Sequence, residues 1–147
     1  DKQIEKECNK SISDIFKDFG ENYFREIEQK IVLNILNNAE KPVVLSIGGG
    51  AFLNATIRKN IKEKAISIWL KIEISDIFIR IKKSKHDRPL IKQHASLSET
   101  ESLYNKRQPF YEKSDIKVEI HKLTKNEVLD LTIKQLYLHL ENEKSSY

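Results

Sequence analysis

The stretch VVLSIGGGAFLNA, residues 43–55, holds three of the chain's four glycines. An apolar run stops at Ile47, Gly48, Gly49 and Gly50 follow, and a helical pattern begins after them. Strand, glycine turn and helix in that order bring backbone N–H groups to a helix N-terminus, where they favour an anion or a hydroxyl. A phosphate loop of the Walker type reads G-x-x-x-x-G-K-[ST], because a lysine and a hydroxyl must reach phosphate and magnesium. Ala51 and Phe52 stand there instead, so the triplet is not a Walker loop. From the residues alone, two readings stay open: a tight strand–helix turn, or a turn that offers amides to a ligand.

Working outward, elements alternate. Ser11 with Asp14 is a helix-capping pattern, and Asn9 before it suits a left-handed helix stop. Gly20 closes that segment. Phe24, Ile27, Ile31 and Ile35 recur at helical spacing, which predicts a helix from 21 to about 37. Pro42 ends the helical region, and residues 43–47 read as a buried strand. A helix is expected over 52–63, a second buried strand over 65–73, a helix over 75–83 and a loop over 84–95. Ser96 with Glu99 predicts a capped helix that ends before Pro109. Residues 116–120 alternate like a strand, and Thr124 with Glu127 caps a last helix. Its apolar face is read as Leu129, Ile133, Leu136 and Leu140. Strands alternating with helices predict an α/β fold with a parallel sheet.

The bulk composition narrows the class. The 147 residues suit one domain, and 39 % apolar residues are enough for a core. Charged residues make up 33 %, and no run approaches the roughly 20 apolar residues that span a bilayer. No signal-peptide pattern is visible. Cys8 is the single cysteine, which excludes an internal disulfide. These features predict a cytoplasmic protein without a membrane partner. The net charge of +4 comes from lysines scattered along a Lys-, Ile- and Asn-rich chain, which reads as a solvated surface rather than a nucleic-acid face. The chain contains no methionine and opens on Asp1, so an N-terminal segment is expected to precede it.

Several polar residues are candidates for chemistry. Residues 80–92 carry six Lys or Arg against one Asp, and Arg88 is followed by Pro89. An arginine fork pairs well with phosphate oxygens, and the alternative is a solvated basic loop. Arg107 precedes Pro109, Phe110 and Tyr111, where it either points into a carboxylate pocket or complements the helix dipole. Arg25 sits beside Phe24 at the edge of an apolar face, and Asp1 puts a carboxylate at the start. No histidine pair has metal-ligand spacing, and no Ser/His/Asp set stands out.

Their order is the specific signal. D-x-x-I-E at 1–5, S-I-x-D-I-F-x-x-x-G-E-x-x-F-R-x-x-E at 11–28, S-I-G-G-G-A at 46–51, R-P-L at 88–90 and R-x-P-x-Y at 107–111 together resemble the shikimate kinase family. The resemblance implies a P-loop kinase-type fold, a five-stranded parallel sheet flanked by helices with a mobile lid. It implies transfer of the γ-phosphoryl group of ATP to the 3-hydroxyl of shikimate, with Mg²⁺, by an enzyme that is monomeric when full length. Within a single kinase domain over 1–147, it marks 1–37 as the substrate-binding segment and helix and 83–94 as the lid.

By resemblance, Asp1 matches an aspartate that bonds the ring hydroxyls and serves as base. Arg25 and Arg107 match arginines facing the shikimate carboxylate. Gly48, Gly49 and Gly50 offer amides to the substrate, Arg88 matches a lid arginine reaching ATP, and Arg80 is expected near the nucleotide. No metal ligand is assigned within the chain. The family's first strand, Walker loop and following helix have no counterpart in these residues. That first strand is expected between strands 43–47 and 66–72, so residues 1–147 alone are expected to be aggregation-prone and inactive. The competing reading is a truncated or degenerate kinase-like protein that binds without transferring phosphate.

Overall fold

The computed structural model describes residues 1–83 and 96–145. They form six α-helices, one 3₁₀ turn and two strands. The chain divides into two compact units, one holding Asp1–Ala65 and the other Ile66–Ile81 with the chain from Ser96 onward.

In the first unit, α1 (Lys2–Cys8) ends at Asn9, whose φ of 50° and ψ of 38° are the predicted left-handed stop. Ser11 then caps α2 (Ile12–Asn38) by accepting from the Asp14 N–H at 3.1 Å. Gly20 bends α2 with φ 79° and ψ 178°, a conformation costly for other residues. The bend folds Phe16 onto Phe24, with ring centroids 4.7 Å apart. Ile4, Ile15, Phe24 and Ile31 form a core there, with Ile12, Ile27 and Ile35 packed around it. The 3₁₀ turn Ala51–Leu53 leads into α3 (Ala55–Lys64), whose Ile57 and Ile61 are buried.

Residues 43–47 do not form the predicted buried strand. They carry no strand pairing, and Val43 and Val44 are exposed. An apolar run becomes a central strand only when neighbours bond both of its edges, and the first unit contains no strand among its described residues.

In the second unit, β1 (Ile68–Ile72) and β2 (Ile116–Ile120) pair in parallel, from Ile68 opposite Ile116 to Ile72 opposite Ile120. Asp115 fixes this register by accepting from the Ser67 N–H at 2.8 Å and the Ser67 hydroxyl at 2.5 Å. Helix α4 (Ile74–Lys83) follows β1, and α5 (Leu97–Tyr111) precedes β2. The Ser96–Glu99 capping box opens α5 as predicted. This helix runs through Pro109 rather than ending before it, because a proline in a last turn forfeits only one hydrogen bond. On β2 the residues alternate: Ile116, Val118 and Ile120 are buried, Lys117 and Glu119 exposed. The buried set packs on Val128, Leu131 and Leu136 of α6 (Lys125–Lys144), which the Thr124–Glu127 box caps.

The predicted α6 face is therefore only partly the packed one. Leu136 contributes, but Leu129, Ile133 and Leu140 are exposed. On β1, Leu70 is exposed too, so this strand is not buried on both faces. Among the described residues no helix is long and apolar enough to cross a membrane.

Candidate functional site

The glycine turn meets α2 through an arginine. Arg25 is half-buried, and its guanidinium lies 5.1 Å from the centroid of the Phe24 ring. Its Nη1 donates to Glu28 Oε2 at 2.5 Å and its Nε to Glu21 Oε1 at 3.3 Å. Three- and four-residue spacings put all three on one helical face. Glu28 is 4 % exposed, so its carboxylate is a buried charge that Arg25 neutralises. With Nε and Nη1 engaged, Nη2 is the arginine nitrogen left without a partner among the described residues.

That nitrogen lies against the turn. A Cβ at Gly50 would overlap Nη2, Cζ and Nη1 of Arg25, and one at Gly48 would stand 3.2 Å from Glu28 Oε1. Gly50 has φ −79° and ψ −29°, so it is the close approach and not the backbone that demands glycine. The turn is stiffened by the Ala51 N–H bonding Gly48 O at 2.9 Å and the Leu53 N–H bonding Gly50 O at 3.1 Å. A guanidinium held by a buried carboxylate thus faces a glycine turn at the start of a helical segment.

Of the predicted site residues, all but Arg88 fall among the described residues. Arg25 and Gly48–Gly50 come together in the first unit. Asp1 stands exposed ahead of α1, with no side-chain cap bond. Arg107 belongs to the second unit, on α5, and its Nε is buried without a hydrogen-bond partner among the described residues. A buried N–H without an acceptor is costly unless a ligand supplies one. Near the end of the same helix, Tyr111 stacks on Trp69 at 5.9 Å. Burial raises the Tyr104 phenol above its ordinary value, and Glu73 and Glu112 push in the same direction. Arg80 is exposed on α4. Arg88 and residues 84–94 of the expected lid lie outside the described residues. Among the described residues no three His, Cys, Asp or Glu side chains cluster as metal ligands.

Sequence reasoning assigned no role to Glu28, Gln29 or Asn54. Glu28 was visible as the acid three residues after Arg25. Gln29 and Asn54 are joined by a hydrogen bond across 25 positions, which no local pattern signals.

The fold defines an α/β protein with a parallel strand pair, and Arg25 meets the glycine turn in its first unit. The family model for shikimate kinase matches residues 1–137. The shikimate kinase of Bartonella henselae is 34 % identical over 145 residues, 99 % of this chain and 68 % of that protein. That of Mesorhizobium japonicum is 39 % identical over 118 residues, 80 % of this chain and 57 % of that protein. The chain thus spans between about half and about two thirds of the length of these relatives. Among solved structures, the shikimate kinase of Acinetobacter baumannii in complex with shikimate matches with a TM-score of 0.83 at 27 % identity. The match covers 97 % of this chain and 76 % of that one. The Aquifex aeolicus shikimate kinase matches with a TM-score of 0.74 at 29 % identity, covering 98 % and 80 %. The chain belongs to the shikimate kinase family, a family of ATP-using kinases.

Proposed function

We propose that the protein carrying this chain transfers the γ-phosphoryl group of ATP to the 3-hydroxyl of shikimate, and that these residues supply much of its shikimate side. The observation that carries the reading is Arg25, held by buried Glu28 with its Nη2 against Gly50 of the glycine turn. Shikimate is a small carboxylate with three hydroxyls. Arg25 Nη2 donates to its carboxylate, and the amides of the turn orient the ring. Arg107, whose Nε has no hydrogen-bond partner among the described residues, is the second carboxylate partner. Charge-assisted bonds of this kind are about twice as strong as neutral ones. Asp1 orients the reacting hydroxyl and accepts its proton.

Phosphoryl transfer rests mainly on positioning and on neutralising charge. Arg88 and Arg80 act on the nucleotide side, with residues 83–94 as lid. ATP arrives with Mg²⁺, and the described residues contribute no ligand cluster to that ion. The working form is one monomeric kinase domain in the cytoplasm.

The test is incubation of the full-length protein with ATP and shikimate, followed by ³¹P NMR. The expected products are ADP and shikimate 3-phosphate. Shikimate binding without transfer identifies a kinase-like binding protein instead, and neither binding nor transfer refutes the proposal.

A further inference from the structure

We infer that Gln29 and Asn54 form a positioning pair that sets the distance between the Arg25 guanidinium and the glycine turn. The inference rests on the proposed reading of Arg25 as carboxylate partner and of the turn amides as ring contacts. Asn54 Nδ2 donates to Gln29 Oε1 at 2.7 Å, in a half-buried setting. Gln29 follows Arg25 by four residues on α2, so both project from one face, a helical turn apart. On the loop, Gly50 and Asn54 are joined by the 3₁₀ turn, whose bonds run from Leu53 N–H to Gly50 O and from Asn54 N–H to Ala51 O at 3.0 Å. The loop therefore meets α2 at two points. At one, Gly50 abuts the guanidinium; at the other, Asn54 is tied to Gln29.

Asn54 also works in a second direction. Its Oδ1 accepts from the N–H groups of Thr56 at 2.9 Å and Ile57 at 3.1 Å, which caps α3. Arg58, in the first turn of α3, returns a hydrogen bond from Nη1 to the Phe52 carbonyl at 2.8 Å. One side chain thus joins the start of α3, the end of the turn and the face of α2. Losing the Gln29 bond removes one tie between this loop and α2, which loosens the spacing between Nη2 and the turn amides. Small displacements of binding groups weaken ligand contacts steeply.

The test uses the full-length protein with Asn54→Ser, Gln29→Leu and the double variant. Ser keeps a helix-capping oxygen but cannot reach Gln29, and Leu removes the acceptor at similar size. Each single variant is expected to raise the shikimate KM about five- to tenfold, the loss of roughly one hydrogen bond. The KM for ATP is expected to stay unmoved. The double variant should be no worse than the worse single, since both break one bond. Asn54→Asp keeps the cap and lets Gln29 rotate its amide to donate, so it should restore the shikimate KM. A merely structural role would lower the melting temperature and the active fraction with both KM values unchanged. That outcome, or additive effects in the double variant, overturns the inference. Arg25→Ala separates the two claims. If it leaves the shikimate KM unaltered, the carboxylate reading fails. If it raises that KM while the Gln29 and Asn54 variants do not, the positioning inference alone fails.

Discussion

Gly50→Ala tests the packing of the turn on Arg25. The backbone of Gly50, at φ −79° and ψ −29°, accepts alanine without strain, and alanine reduces the freedom of the unfolded chain. Any loss must therefore come from the new methyl group, which would overlap three guanidinium atoms. The guanidinium must move to make room, which strains its bond to Glu28, whose side chain is 6 % exposed. Breaking a hydrogen bond to a charged group costs about 1.5–3 kcal/mol, and breaking a fully buried ion pair about 3–5 kcal/mol. The Arg25 side chain is 27 % exposed, so solvent compensates part of this. We expect a stability loss of about 2 kcal/mol in urea unfolding. The retreat also withdraws Nη2, so the shikimate Kd measured by calorimetry should rise about 30-fold. In an Arg25→Ala background the overlap is gone, and the same methyl should cost less than about 0.5 kcal/mol. Wild-type stability and affinity in Gly50→Ala, or an equal loss in both backgrounds, would refute the reasoning.

Other consequences follow from the same contacts. Arg107→Ala should weaken shikimate more than about tenfold and ATP far less, as calorimetric titration of each ligand would show. Because the Arg107 Nε has no acceptor among the described residues, the unliganded protein should lose little stability; a large drop in its melting temperature would count against an unsatisfied Nε. Asp115→Ala removes both bonds from Ser67 to Asp115 and should cost about 1–2 kcal/mol in chemical unfolding, with faster amide exchange at Ser67. Glu127 is held below the ordinary 4.5 by its bonds from the Thr124 N–H and hydroxyl. Its contribution to α6 is thus fully present above pH 4.5 and is lost as pH falls through the lowered value, a dependence Glu127→Gln should flatten. A Glu127 carboxyl found by NMR to titrate at or above 4.5 would contradict the capping box.

The parts of the fold legible in the sequence were those decided within a few residues. Ser11, Ser96 and Thr124 cap their helices because capping needs only an oxygen and an N–H three positions on. The alternation of residues 116–120 marked β2 because one face of it is buried and the other is not. The spacing of Phe24, Ile27 and Ile31 found the α2 core, and the F-R-x-x-E pattern already contained the Arg25–Glu28 pair. What failed depended on partners. Residues 43–47 have the composition of a central strand, but hydrogen bonds from neighbours decide strand formation and none is made there. Leu129, Ile133 and Leu140 satisfy helical periodicity as well as Val128, Leu131 and Leu136 do, and only packing on β2 separates the two sets. The Gln29–Asn54 bond was invisible because it joins residues 25 positions apart through ordinary polar side chains.

In the proposed function Arg25 receives the shikimate carboxylate while the amides of the glycine turn orient the ring. The most direct measurement is a shikimate titration of [¹⁵N]glycine-labelled full-length protein, followed by the amide resonances. Gly20, in the bend of α2, serves as an internal control. We expect the amides of Gly48, Gly49 and Gly50 to move with a common saturation curve, Gly20 to stay still, and Arg25→Ala to abolish the shifts at the same shikimate concentrations. Saturating shikimate that leaves all three turn amides in place, or moves them equally in Arg25→Ala, would contradict it.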